Sequence, residues 1–339
     1  PPPPPATAAT AQPDDAQRAT DTLARLGAAY DRAIVGQRRL RTSLLVALIA
    51  EGHVLIESLP GLAKTTAASA VARSIGGDFA RIQCTPDLLP SDVIGTEVYD
   101  PATASFTTRL GPVHANVVLL DEINRSSAKT QSAMLEAMQE RQTSIGGEIH
   151  PLPRPFMVLA TQNPIEQEGT YVLPAAQMDR FLLKEVLDYP SPDEEIEVLT
   201  RADGATVDVP GGAVAPSSTV GLVEVMQLSS MLRHVYVDQS IRRYAVALVN
   251  ATRKPAGVID GDLAHYVESG ASPRGSLALQ LVAKCVALLE GRTHVIPEDV
   301  RALRHAVLRH RIRLGFHAIA DGVSTDTIVD AVFDAVAIP

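Results

Sequence analysis

Short apolar runs punctuate the first half of the chain. His53-Val54-Leu55-Ile56, Asn116-Val117-Val118-Leu119-Leu120 and Phe156-Met157-Val158-Leu159-Ala160 are continuous, and Phe79–Cys84 and Leu182–Leu187 are of similar length. Runs of this kind read as strands buried on both faces, as in a parallel sheet. Stretches with helical period lie between and before them. Leu23, Leu26, Ala29 and Ala33 mark one helix from about Ala19, and Leu40, Leu44, Leu45, Leu48 and Ile49 mark another. An Ala-rich helix opens at Lys64-Thr65, and Ala128–Gln139 turns Met134, Leu135 and Met138 inward. Pro86–Asp92 reads as a turn into a short helix, with Ser91 or Asp92 as N-cap. Tyr99–Pro112 and Thr143–Leu152 read as hairpins.

Past Pro190 the pattern changes. A helix starts at Pro192 with Asp193, Glu194 and Glu195 in its first turn, where the helix dipole favours anions. A Gly/Pro/Ser-rich loop spans 203–218. Helical patterns alone follow, over about 220–235, 240–253, 274–290, 297–308 and from 325. The expected fold class is α/β: a doubly covered parallel sheet followed by a smaller all-helical domain. The expected division is a Pro/Ala-rich disordered tail over 1–17, a core over 18–189 and the helical domain over 190–339.

Composition narrows the function. The 339 residues carry 46% hydrophobic and 20% charged side chains, a globular balance, and a formal net charge of −9. An acidic chain is a poor candidate for gripping nucleic acid. The basic stretch Arg301, Arg304, Arg309, Arg311, Arg313 therefore reads as a solvated helix face or a subunit contact. Cys84 and Cys285 give no disulfide framework and read as reduced, buried thiols of a cytoplasmic protein. No apolar stretch reaches the roughly 18 residues of a membrane span, and the N-terminus does not read as a signal peptide.

The chemistry starts at the end of the first strand. His53–Thr66 runs strand, Pro-Gly loop, then Lys64-Thr65 on a helix start. Unpaired amides at a helix N-terminus, with its dipole, cradle phosphate. Lys64 would reach the β- and γ-phosphates and Thr65 would take Mg²⁺. Ser58 stands where such loops often need a conformation that only glycine adopts cheaply, whereas Ala63 can suit a helical start. Asp121 and Glu122 end the Val117–Leu120 run. Asp121 can hold Mg²⁺ and Glu122 can polarise an attacking water, although the pair also fits an exposed acidic turn. Asn163 can orient that water or start an Asn-Pro turn. Arg180 can be a finger into a neighbouring subunit's site or a surface pair with Asp179. Arg274 opens a helix, an odd place for a cation if only stability mattered.

Together these residues resemble one family. Leu59–Thr65, Thr85–Asp92, Asp121-Glu122-Ile123-Asn124-Arg125, Leu135–Arg141, Ala160–Tyr171 and Gly270–Arg274 are similar to the motifs of MoxR AAA+ ATPases, P-loop NTPases with a helical lid. The resemblance implies Walker A at Leu59, Pro60, Gly61, Leu62, Ala63, Lys64, Thr65 and Thr66, and Walker B at Asp121 and Glu122. It makes Asn163 sensor 1, Arg180 the arginine finger and Arg274 sensor 2. Gly36 and Gln37 would line the adenine pocket. It implies ATP and Mg²⁺, a homo-oligomeric, usually hexameric ring, and a protein client, often one with a von Willebrand factor A domain. Three departures from the family pattern stand out: Ser58 for glycine, Ala175 for glutamate, and Leu110 and His114 for proline and an aromatic. The expected function is Mg²⁺-dependent ATP hydrolysis coupled to client remodelling. A nucleotide switch with little turnover and a nucleic-acid motor are the rival readings.

Overall fold

The computed structural model describes residues 13–59, 62–164, 171, 173–204 and 219–339. Residues 1–12 of the expected tail, Pro60 and Gly61 of the phosphate loop, the motif stretch 165–170 and most of the expected linker, 205–218, lie outside the described residues. The chain forms two compact units, Arg25–Val225 and a second made of the preceding helical turns with Met226–Pro339.

In chain order the first unit holds the C-terminal part of α1 (Pro13–Ala33), then α2 (Arg38–Ile49), β1 (Val54–Ser58), α3 (Lys64–Ser74), β2 (Phe79–Gln83), α4 (Pro90–Ile94), β3 (Gly95–Asp100) and β4 (Ser105–Leu110). It continues with β5 (Val117–Asp121), a 3-10 turn (Ile123–Arg125), α5 (Ala128–Glu140), β6 (Gln142–Ile145), β7 (Glu148–Pro151), β8 (Met157–Gln162), α6 (Ala175–Met178), β9 (Leu183–Leu187) and α7 (Pro192–Gly204). Five parallel strands form the sheet, in the order β2-β5-β8-β1-β9. The apolar runs occupy its centre, and Val117–Leu120 and Met157–Ala160 are all fully buried. Leu55, Val118, Leu120 and Val158 share a core with Met134, Leu135 and Met138 of α5 and with Phe156 and Phe181. Full burial of side chains of this size stabilises by about 1.5–3 kcal/mol each.

Two local expectations are corrected. α1 starts at Pro13, inside the expected tail and ahead of the Ala19 start that periodicity placed. Neither Ser91 nor Asp92 is the N-cap of α4. Leu89 is, with Pro90 at the first helical position, and Asp92 Oδ2 reaches back to accept from Leu89 N–H at 2.9 Å. The first hairpin begins at Gly95, where the chain passes so close to Gly111 that a Cβ on Gly111 would lie 2.3 Å from Val93 O. Its strands are largely exposed, and Tyr99 and Phe106 stack on each other at 5.3 Å.

The entry to β1 is pinned by a buried histidine. His53 Nδ1 accepts from Val158 N–H at 3.1 Å, and Nε2 lies 3.2 Å from Met138 O. This pairing fixes the neutral tautomer with its proton on Nε2. Burial pushes the imidazole pKa down to about 4. The unfolded chain takes up a proton near pH 6.5 that the folded chain refuses until about pH 4. Stability from this site is therefore complete above about pH 6.5 and falls as the pH drops towards 4, by a total of about 3 kcal/mol. Denaturant melts at pH 7 and pH 5 should show the loss, and a His53→Asn variant, though less stable, should show a smaller pH slope. An unchanged slope in that variant would assign the acid sensitivity elsewhere.

After α8 (Leu222–Met231) the second unit contains α9 (Gln239–Arg253), α10 (Gly261–Ala264), β10 (Val267–Ser269), α11 (Pro273–Leu289), α12 (Pro297–Ala302), α13 (Arg304–Leu308), β11 (Arg313–Leu314), α14 (Phe316–Ala320) and α15 (Thr325–Ala335). The apolar α11 is its spine, packed against α9, α12 and α13. Among the described residues the unit is helical apart from the antiparallel pair β10–β11 and isolated bridges such as Tyr236–His294, a small correction to the all-helical reading. Strands this short carry no alternation for a sequence to show.

The basic stretch is corrected too. Arg301 pairs with Asp334 at 3.0 Å, Arg304 with Asp330 at 2.8 Å and Arg309 with Asp326 at 2.6 Å. Asp326, Asp330 and Asp334 are four residues apart and so share one face of α15. These arginines are consumed inside the unit rather than forming a solvated face.

Candidate functional site

The carboxyl ends of β1, β8 and β5 lie side by side and deliver Ser58, then Asn163, then Asp121-Glu122. Ligands of open α/β sheets bind at such ends. α3 starts just beyond β1 and packs against β5, so Lys64 and Thr65 in its first turn belong to the same edge. The first bond of α3 runs from Ala67 N–H to Ala63 O at 2.9 Å, which leaves the preceding amides of the turn free of helical partners. Lys64 is half-buried, and its ammonium makes no ion pair among the described residues.

The strained position of this loop is not the expected one. Ser58 is an ordinary β1 residue, whereas Ala63, the N-cap of α3, sits at φ 53° and ψ 23°. The left-handed region costs an alanine roughly 1 kcal/mol that a glycine would not incur. The chain turns into α3 at Ala63, so the glycine-like demand falls there. Ser58 has a different cost. It is 2% exposed, and among the described residues its hydroxyl has no hydrogen-bond partner.

The acidic pair is held by residues of two strands, β2 and β8, and of the 3-10 turn. Asp121 Oδ2 accepts from Arg81 Nη2 at 2.6 Å and Nε at 3.2 Å, and Asp121 Oδ1 accepts from Thr161 Oγ1 at 2.8 Å. Glu122 N–H donates to Thr161 Oγ1 at 2.9 Å. Glu122 Oε2 accepts from Gln83 Nε2 at 3.2 Å and pairs with Arg125 Nε at 3.0 Å. The reading of these acids as a free exposed turn is thus set aside: Asp121 is buried and Glu122 half-buried, both within a bonded network.

Thr161, Arg81, Gln83 and Arg125 received no role from sequence. Arg81 and Gln83 carried a faint signal, as polar residues at alternate positions of a strand beside the acid-bearing one. Thr161 carried none beyond being a hydroxyl at the end of an apolar run.

The remaining candidates are more scattered. Asn163 is buried, one residue past β8. Arg180 is half-buried and follows α6, and the neighbouring Leu182 N–H donates to His53 O at 2.9 Å. That bond places Arg180 near the start of β1, opposite the edge bearing Lys64. The intervening 5-residue strand is about 16 Å long, beyond a side chain's reach. Arg274 lies in the second unit, exposed in the first turn of α11, whose N-cap Ser272 accepts from Arg274 N–H at 3.1 Å. Gly36 and Gln37 form a left-handed turn into α2 with φ of 66° and 53°. A Cβ on Gly36 would lie 2.1 Å from Glu194 Oε1, and Glu194 in turn accepts from Ser191 N–H at 2.8 Å.

These groups fit a magnesium-bound triphosphate. The α3 N-terminal amides and Lys64, unpaired among the described residues, suit phosphate oxygens, and Thr65 with Asp121 offers the hard oxygen donors that Mg²⁺ takes in small number alongside phosphate. Among the described residues no cluster of three His, Cys, Asp or Glu side chains could hold a metal alone. A metal here would thus share its shell with the substrate.

The profile of the ATPase family associated with various cellular activities (AAA) matches residues 53–183, and that of the AAA lid domain matches 262–332. Chaperone MoxR1 of Mycobacterium tuberculosis is 48% identical over 94% of this chain and 82% of its own length. Protein MoxR of Paracoccus denitrificans is 32% identical over 92% of this chain and 95% of its own. The crystal structure of a Cytophaga hutchinsonii protein superposes with a TM-score of 0.87 at 39% identity, covering 96% of this chain and 97% of that one.

Proposed function

Since the chain belongs to the MoxR family of AAA+ ATPases, we propose that it hydrolyses ATP in an Mg²⁺-dependent manner and uses the cycle to remodel a protein client. The observation that carries this reading is the shared edge of Lys64, Thr65, Asp121 and Glu122 at the carboxyl ends of β1 and β5, which flank β8. The α3 amides of the Leu59–Thr66 loop and Lys64 hold the phosphates, and Gly36 and Gln37 flank the base. Glu122 takes the proton of a water attacking the γ-phosphorus, Asn163 orients that water, and the bond to the β–γ bridging oxygen breaks. Mg²⁺, when bound through Thr65 and Asp121, would neutralise phosphate charge.

Arg180 stands at the opposite end of β1 from Lys64, which supports its acting in a neighbouring protomer's site. We therefore read the active form as a homo-oligomer, with a hexameric ring as the family's usual form. Arg274 is proposed as the lid's γ-phosphate sensor. The division into a core up to 189 and a lid over 190–339 stays part of this proposal, with any tail ending before α1 at Pro13. So do a von Willebrand factor A domain client and a cytoplasmic location. Among the described residues no helix is long and apolar enough to cross a membrane.

The test is phosphate release against protein concentration, with and without Mg²⁺. Turnover per protomer should rise with concentration and vanish without the metal. An Arg180→Ala variant should be inactive alone, yet regain turnover when mixed with a Lys64→Ala variant that supplies the finger. No turnover at any concentration would favour a nucleotide switch, and turnover that needs DNA would favour a nucleic-acid motor. Mixtures no more active than the variants alone would remove the shared site.

A further inference from the structure

Glu122 holds a backbone conformation that side-chain-bearing residues avoid. Its φ of 57° and ψ of 53° lie in the left-handed region, at a cost of roughly 1–2 kcal/mol. Its N–H, turned by that conformation, meets Thr161 Oγ1 at 2.9 Å. The same hydroxyl lies 2.8 Å from Asp121 Oδ1. An amide only donates and a carboxylate only accepts, so the hydroxyl accepts from Glu122 and gives its single proton to Asp121. Thr161 is 0% exposed, so water has no path to replace it. The other anchor of Asp121, Arg81, has a side chain 49% exposed, so water can reach it.

We infer that Thr161 is the positioning residue that sets Asp121 and Glu122 relative to each other. It ties both to the end of β8, whose last residue, Gln162, leads directly into Asn163. The inference rests on the ATPase reading above. Thr161 needs no contact with nucleotide in this role. It aims the carboxylate that would face the metal, and it fixes the backbone from which the proposed base projects. A displacement of the β8 end would move the hydroxyl and both acids with it, so the strand leading into Asn163, the proposed water-orienting residue, and the hydrolytic pair would shift together.

Thr161→Val removes the hydroxyl and keeps the branched shape, while Thr161→Ser keeps the hydroxyl and drops a methyl. Supporting partners of this kind are typically worth about 10–100-fold. Thr161→Val should lower kcat by that factor with little change in KM. Binding of a fluorescent ATP analogue without metal should be unchanged, while the Mg²⁺ concentration for half-maximal metal-dependent binding should rise several-fold. Thr161→Ser should restore both quantities. If Thr161→Val does not fold, Thr161→Ala against Thr161→Ser decides on the same two readouts.

A hydroxyl-free variant with wild-type kcat and Mg²⁺ response overturns the inference, and so does a serine variant as impaired as the valine. Failure of the ATPase reading looks different. The wild-type protein would then bind no nucleotide or release no phosphate, Lys64→Ala would change nothing, and this inference would fall with it.

Discussion

Replacing Lys64 with alanine is expected to abolish tight ATP binding while leaving the fold intact. Lys64 is half-buried in the first turn of α3 and has no ion-pair partner among the described residues. Its removal therefore strands no buried charge. Alanine is the best helix former, so α3 should not be weakened. The melting temperature without nucleotide should stay within a degree or two of wild type, as expected for a substitution outside the core. A charge-assisted bond from an ammonium to phosphate contributes about 2–3 kcal/mol, so affinity should fall roughly 30–150-fold. Calorimetric titration with a slowly hydrolysed ATP analogue measures it. The expected pattern is a lost binding isotherm, an unchanged apo melt and no nucleotide-induced rise in Tm. An isotherm matching wild type would move the phosphate site away from α3.

The parts of this site that were legible in the sequence share one physical property: their partners are close in the chain or their environment is uniform. β1, β5 and β8 were legible because strands covered on both faces must be apolar throughout. Lys64-Thr65 and Asp121-Glu122 were legible because each sits where a strand ends, and strand ends are where open sheets bind ligands. The network around them was not. Arg81, Gln83 and Thr161 reach the acids across strand neighbours, and nothing local to Phe79–Gln83 or Met157–Gln162 says which strand will lie alongside. The same holds for the ladder from Arg301, Arg304 and Arg309 to α15, where basic residues looked solvated until their aspartates were brought across from another helix.

Backbone demands were harder still. The loop motif pointed to Ser58 as the position short of a glycine, yet the left-handed residue is Ala63. A motif records which residues occur, whereas dihedral strain depends on where the turn falls. Glu122 and Ala63 are both non-glycine residues at positive φ, and both flank the proposed phosphate site. Strained residues of this kind persist where their surroundings over-determine them. For Glu122 the surroundings are Thr161, Gln83 and Arg125.

That anchoring makes Glu122→Gln the sharper of the two site variants, since it should separate binding from turnover. Glutamine has nearly the size of glutamate and keeps an oxygen able to accept from Gln83 and Arg125, so the local geometry should survive. What it loses is the ability to take a proton. General-base catalysis contributes typically 10²–10⁴-fold, and kcat should fall by about that factor. Lys64, the loop amides, Thr65 and Asp121 are untouched, so ATP affinity should stay within a fewfold of wild type. The protein should then hold ATP rather than ADP. Rapid desalting after incubation with Mg²⁺-ATP, followed by nucleotide extraction, reads this directly: wild type should retain mostly ADP and the variant mostly ATP. If the variant instead carried ADP at wild-type rates, Glu122 would not be the base and the proton would have to leave through another group. If it bound no nucleotide at all, the carboxylate would be holding the site together rather than acting on water. The contrast with Lys64→Ala, empty where Glu122→Gln is loaded, is the pattern that a binding lysine and a hydrolytic carboxylate on one sheet edge require.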